Sequence, residues 1–206
     1  MIDNILLFKN DLPKEFLDNV KEVAIDTEAM GLYPHRDRLC IAQFCKGDNI
    51  SYIIQFDNYQ NADNIKNILH SNNIIKIFHY ARFDVMMLYK YLGVMTHNIY
   101  CTKIASKLVR TYTDKHSLKD LCKELLGIEL SKGETCTDWG NSTLSEQQLS
   151  YAAKDVLYLH QIKQKLDVLL QRENRMDIAK SCFDYLPTRV LFDLMISNDY
   201  DIFAHH

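Results

Sequence analysis

Val23-Ala24-Ile25-Asp26-Thr27-Glu28 is three apolar residues running into two carboxylates one residue apart, with Gly31 close behind. An unbroken apolar run carrying Val and Ile favours a buried strand. Side chains at i and i+2 share one face of a strand, so Asp26 and Glu28 are predicted to point the same way. Two like charges at a buried strand end repel and resist desolvation unless a cation joins them. Hard oxygen ligands of this kind suit Mg²⁺ or Mn²⁺. Taken alone, the pattern is more often a strand end with two solvated acids. The rest of the chain decides between these readings.

Outward from that strand, Ile5-Leu6-Leu7-Phe8 reads as a short strand, and Pro13 as the first turn of a helix through about Val20. Residues 31–38 (GLYPHRDR) form a cation-rich loop. Leu39 to Cys45 and Asn49 to Phe56 read as a hairpin turning at Lys46-Gly47-Asp48. Helical spacing covers Asn61 to His70, and a strand covers Ile74 to Phe78. A helix from His79 to Leu92 is stopped by Gly93. Further helices are expected over Thr102–Val109 and Ser117–Leu126. A long one runs from a Ser145 cap to about Arg172. The tail from Leu186 carries more apolar residues than a solvated end needs. Strands come mostly first and helices later, which predicts one α/β domain.

Composition excludes several classes. The 206 residues suffice for one domain with a sizeable core. No apolar run reaches the ~18 residues that a membrane span needs. The N-terminus lacks a secretory pattern, and the six cysteines form no C-x-x-C pair. Reduced thiols in the cytoplasm are therefore expected. A net charge of −3 argues against tight, nonspecific duplex binding. It leaves room for a short nucleic-acid ligand held by metals and a few local cations.

Two further acids carry the argument. Asp84 falls early on a helix that follows a buried strand, where it interacts well with the helix N-terminus. Tyr151 and Asp155 stand at i and i+4 and share a helix face, with Ala152 and Ala153 leaving little bulk beside them. Each feature alone has an ordinary structural explanation. Together they bring four carboxylates and a phenol from separate elements. Such a set can hold two divalent ions about 4 Å apart beside a hydroxyl, the arrangement used in phosphodiester hydrolysis.

In this order, Asp26-Thr27-Glu28, His79 to Asp84 and Tyr151 to Asp155 resemble the three motifs of the DEDD superfamily of 3′→5′ exonucleases, on a ribonuclease H-like fold. A tyrosine four residues before the last aspartate resembles the DEDDy branch, which includes ribonuclease D. Leu39-Cys40-Ile41-Ala42-Gln43, His116 to Leu121 and Asp138-Trp139 fit the same family. GLYPHRDRLC, CTKIASKLVRTYTD, YAAKDVLYLH and DIFAH look like the small stand-alone members called nano-RNase C.

The resemblance implies a mixed sheet flanked by helices and an enzyme that degrades dinucleotides and other short RNAs to 5′-mononucleotides. It also implies a ring-shaped homo-octamer, for which the apolar tail from about residue 185 is a candidate contact. Asp26, Glu28, Asp84 and Asp155 would hold two Mg²⁺ or Mn²⁺ ions, with Tyr151 hydrogen-bonding the attacking water. Leu32 is either a wedge between bases or a loop leucine anchored in the core. His79 is either a substrate contact or a satisfied core histidine. Arg110, Tyr112, Lys115 and His116 are either a cap for a terminal 5′ phosphate or a solvated charged loop. Trp139 is either a stacking partner for a base or a residue packed under the loop, and core packing is favoured. The alternatives are a broader exonuclease trimming structured RNA or DNA 3′ ends, and a catalytically silent binding protein, which should have lost a ligand carboxylate.

Overall fold

In the computed structural model, residues 4–130 and 138–196 are described below. Six strands form one mixed sheet in the order β1-β4-β3-β2-β5-β6. They are β1 (Ile5–Lys9), β2 (Glu22–Ala29), β3 (Leu39–Cys45), β4 (Ser51–Gln55), β5 (Ile75–Phe78) and β6 (Ile99–Cys101). β3 and β4 form the expected antiparallel hairpin, turning at Gly47 with φ +86°. β2 pairs antiparallel with β3 and parallel with β5, which puts it at the centre of the sheet. Its residues Val23, Ala24 and Ile25 are fully buried, as the unbroken apolar run demands.

The helices are α1 (Asp63–His70), α2 (Ala81–Leu92), α3 (Thr102–Val109), α4 (Leu118–Leu121), α5 (Glu146–Leu157), α6 (Leu159–Arg172) and α7 (Met176–Met195). α2 stops at Gly93 with φ +73°, and the π turn Cys122–Leu126 after α4 stops at Gly127 with φ +72°. Ser145 caps α5 reciprocally. Its Oγ accepts from the Gln148 backbone N–H, and Gln148 Oε1 accepts from the Ser145 N–H. Such a cap stabilises a helix start by about 1 kcal/mol.

Four features differ from expectation. The helix after Pro13 is a single 3-10 turn, Lys14–Leu17. β6 is an additional strand, three residues long. The long late helix breaks at Tyr158, so that α5 packs on β2, β3 and β4 while α6 packs along α3. The apolar tail begins inside α7, where Leu186 and Val190 are buried in the chain's own core. Leu191, Met195 and Ile196 of the same segment are exposed, and Ile202 and Phe203 lie outside the described residues. Among the described residues, no helix is long and apolar enough to cross a membrane.

Candidate active site

Asp26 and Glu28 stand on one face of β2, at the end reached by the apolar run. α5 crosses that face and contributes Asp155. Ligand oxygens of Asp26, Glu28 and Asp155 all lie within 4.8 Å of one another. Thr27 points to the opposite face, where its hydroxyl donates to Asp84 Oδ1 at 2.7 Å. That bond pins the fourth acid, which α2 delivers and which is buried. The site therefore gathers acids from both layers at the end of the central strand.

The electrostatics mark a strained cluster. Burial, then the charges of Asp84, Asp155 and Glu28, hold the Asp26 carboxyl well above the usual range. Burial, then Asp155 and Asp84, push Glu28 up to about 8. Burial carries Asp84 to about 7 against the opposing Thr27 hydroxyl. Burial carries Asp155 to about 7, with Lys154 pulling the other way. Asp26, Glu28 and Asp155 converge as hard-oxygen groups, and Asp84 stands near enough to add to their repulsion. That donor set fits divalent cations, which would relieve the repulsion.

A stability signature follows from these values. Unfolded carboxylates titrate near pH 4. The metal-free native state therefore holds more protons than the unfolded chain between about pH 4 and 8. Stabilisation by the protonated acids is present at low pH and is lost as pH rises through about 7 to 8. The metal-free Tm should fall between about pH 6 and 8.5, and added Mg²⁺ should raise it most at the alkaline end, where protons compete least. An equal Mg²⁺ effect at both pH values would show that these acids do not bind the ion.

The loop 31–38 folds around one carboxylate. Asp37 is 6% exposed; its Oδ2 accepts from the Tyr33 backbone N–H at 3.0 Å and its side chain pairs with Arg36. A Cβ at Gly31 would stand 2.3 Å from that Oδ2, so a larger residue there would displace the carboxylate around which the loop folds. Tyr91 of α2 donates to the Asp37 carbonyl, and Lys90 to that of Pro34. The anchored loop holds Leu32 outward, 79% exposed, so Leu32 is not a core anchor.

The other expected residues separate. His79 is half-buried; its Nδ1 bonds Thr102 Oγ1 at 2.9 Å, and burial, then Lys103, lower its pKa to about 4. That bond ties His79, just after β5, to the first residue of α3. Arg110 is 1% exposed. It donates to Ser106 Oγ at 3.0 Å and the Lys115 carbonyl at 2.7 Å, and pairs with Glu124. His116 is buried against the same Ser106 Oγ at 2.8 Å. Of the four residues expected to cap a phosphate, only Tyr112 and Lys115 are exposed. Trp139 is 5% exposed, its ring centroid 6.1 Å from that of Tyr151. With Cys40, Ile41, Ile53, Leu144 and Ala152 it forms a small apolar cluster beneath α5.

Sequence reasoning missed Thr27 and Thr102 as partners of Asp84 and His79. Thr27 sits between Asp26 and Glu28 and must face the other side of its strand, a signal available from the motif itself.

Comparisons with known proteins agree with this geometry. A family profile described as 3′-5′ exonuclease matches residues 10–171. The structure superposes on Brucella melitensis NrnC with a TM-score of 0.95 at 47% identity, covering 99% of this chain and 100% of that one. Among curated sequences, DNA polymerase I of Aquifex aeolicus is 32% identical over 86% of this chain, and ribonuclease D of Xanthomonas oryzae 31% over 80%. The chain spans only 29% and 46% of the length of those two relatives. Escherichia coli RNase D, at 24% identity and a TM-score of 0.75, shares the fold. The profile match over residues 10–171 and these relatives place this chain in the 3′-5′ exonuclease family, as a ribonuclease D-like member.

Proposed function

We propose that the protein is a 3′→5′ exoribonuclease that hydrolyses dinucleotides and other short oligoribonucleotides to 5′-mononucleotides. The observation that carries this reading is the match along the whole of NrnC, which has been solved both with Mg²⁺ and with pGG. Asp26, Glu28, Asp84 and Asp155 would hold two Mg²⁺ or Mn²⁺ ions. The bound ions supply Lewis acidity at the scissile phosphodiester. The Tyr151 hydroxyl, one helical turn before Asp155, orients the attacking water. Exposed Leu32 meets the bases, and the side chains of Arg110 and His116, both bonded to Ser106, brace the loop that presents Tyr112 and Lys115 to the terminal 5′ phosphate. Six cysteines without a C-x-x-C pair favour action in a reducing compartment, the cytoplasm. Assembly as a homo-oligomer, octameric by resemblance, would use the exposed part of the C-terminal segment.

Substrate length tests the reading. Affinity for long RNA grows with the number of phosphates contacted, and this chain is net acidic at −3. A pocket closed at the 5′ phosphate rewards the substrate that fills it. With 5′-labelled RNAs of about two to seven nucleotides at limiting enzyme, kcat/KM should peak at the dinucleotide and fall with each added residue. A profile that is flat, or rises toward the heptamer, would favour general trimming of RNA or DNA 3′ ends instead.

A further inference from the structure

Gln43 lies on β3 directly opposite Asp26 in the antiparallel register. Paired residues on neighbouring strands project from the same face, with Cβ atoms about 4.5–5.5 Å apart. Gln43 therefore shares the face that carries Asp26 and Glu28, beneath α5. Its other cross-strand partner is Ile53, and Ile41 precedes it on the same face. Both belong to the apolar cluster that includes Ala152 of α5. The side chain is fully buried, yet neither its Oε1 nor its Nε2 has a partner among the described residues. A primary amide offers two donors and two acceptor sites, and leaving them unmet in the interior is costly.

Two other buried glutamines show the contrast. Gln55 accepts from Lys9 Nζ at 2.7 Å and donates to the Asn141 carbonyl at 2.6 Å. Gln148 accepts from the Ser145 N–H and donates to the Asp138 carbonyl at 2.8 Å. Gln43 alone of the three is unmatched, and it is the one that stands beside a ligand carboxylate.

We propose that Gln43 is a positioning residue of the metal centre. With the ions loaded, its amide N–H donates to the Asp26 carboxylate and fixes that side chain's rotamer, a bond the metal-free site does not make. Outer groups of this kind orient ligands, and losing one typically weakens metal affinity about 10- to 100-fold. The inference rests on the metal-centre reading above. An ordinary buried polar residue would have the opposite signature, because it would contribute to the fold and not to the ion.

The test uses the full chain, prepared metal-free, with Q43L and with Q43M as a more flexible replacement should Q43L misfold. The metal-free Tm of the variant should match or exceed that of the wild type, since an unmet amide has been removed. Its Kd for Mn²⁺, measured by calorimetry, should rise about 10- to 100-fold. An unchanged Mn²⁺ Kd in a folded variant overturns the proposal, whatever its Tm. D155A serves as the control that should abolish the isotherm. A wild type without a Mn²⁺ isotherm would refute the metal-centre reading itself, and an isotherm that only Gln43 variants leave intact would refute Gln43 alone.

Discussion

Asp26→Ala, Asp84→Ala and Asp155→Ala are each expected to lose hydrolysis of a 5′-phosphorylated dinucleotide by at least about 10³-fold. Charge stabilisation by a metal ion accounts for several kcal/mol of barrier, and each 1.4 kcal/mol is tenfold in rate. Asp26 and Asp155 share a ligand cluster within 4.8 Å, and Asp84 is fixed beside it by Thr27. The same substitutions relieve repulsion among the remaining acids, so the metal-free Tm should hold or rise. That pairing separates a lost site from a lost fold. Steady-state rates in Mg²⁺, read against thermal melts of the same samples, check it. A near-wild-type rate for any one variant would remove that aspartate from the centre.

Tyr151→Phe is expected to lower kcat by about 10²- to 10⁴-fold, the range for groups that position or transfer a proton. Phenylalanine keeps the ring that packs near Trp139 and deletes only the hydroxyl. A free phenol titrates near pH 10, so on the proposed reading the hydroxyl mainly orients water, and the pH dependence of the rate should come from other groups. Mn²⁺ affinity should be unchanged in this variant. Unchanged turnover would leave Tyr151 as a packing residue.

The acids were readable in the sequence because their spacing is a matter of local geometry. Asp26 and Glu28 obey the two-residue period of a strand, and Tyr151 and Asp155 the four-residue step of a helix. The hairpin of β3 and β4 and the stops at Gly93 and Gly127 were legible for the same reason. What escaped depends on contacts between distant segments. β6 is three residues long and exists only because Lys76, Ile77 and Phe78 offer an edge to pair with. The break at Tyr158 reflects packing on two different surfaces, which no local periodicity reports. Arg110 reads as a free cation in sequence, but Glu124 and the Lys115 carbonyl draw it inward. α7 continues through Pro187, a residue that ordinarily argues for a helix end.

Trp139 has a spectroscopic consequence. It is the only tryptophan in the chain, so the emission has a single source. The indole is 5% exposed and sits against Tyr151 beneath the helix that carries Asp155. Shielded from water, it should emit to the blue in the native state and shift to the red when α5 lifts from β3. Its fluorescence therefore reports, without a label, whether α5 with Tyr151 and Asp155 is seated on the sheet, and it does so on the timescale of mixing with metal or substrate.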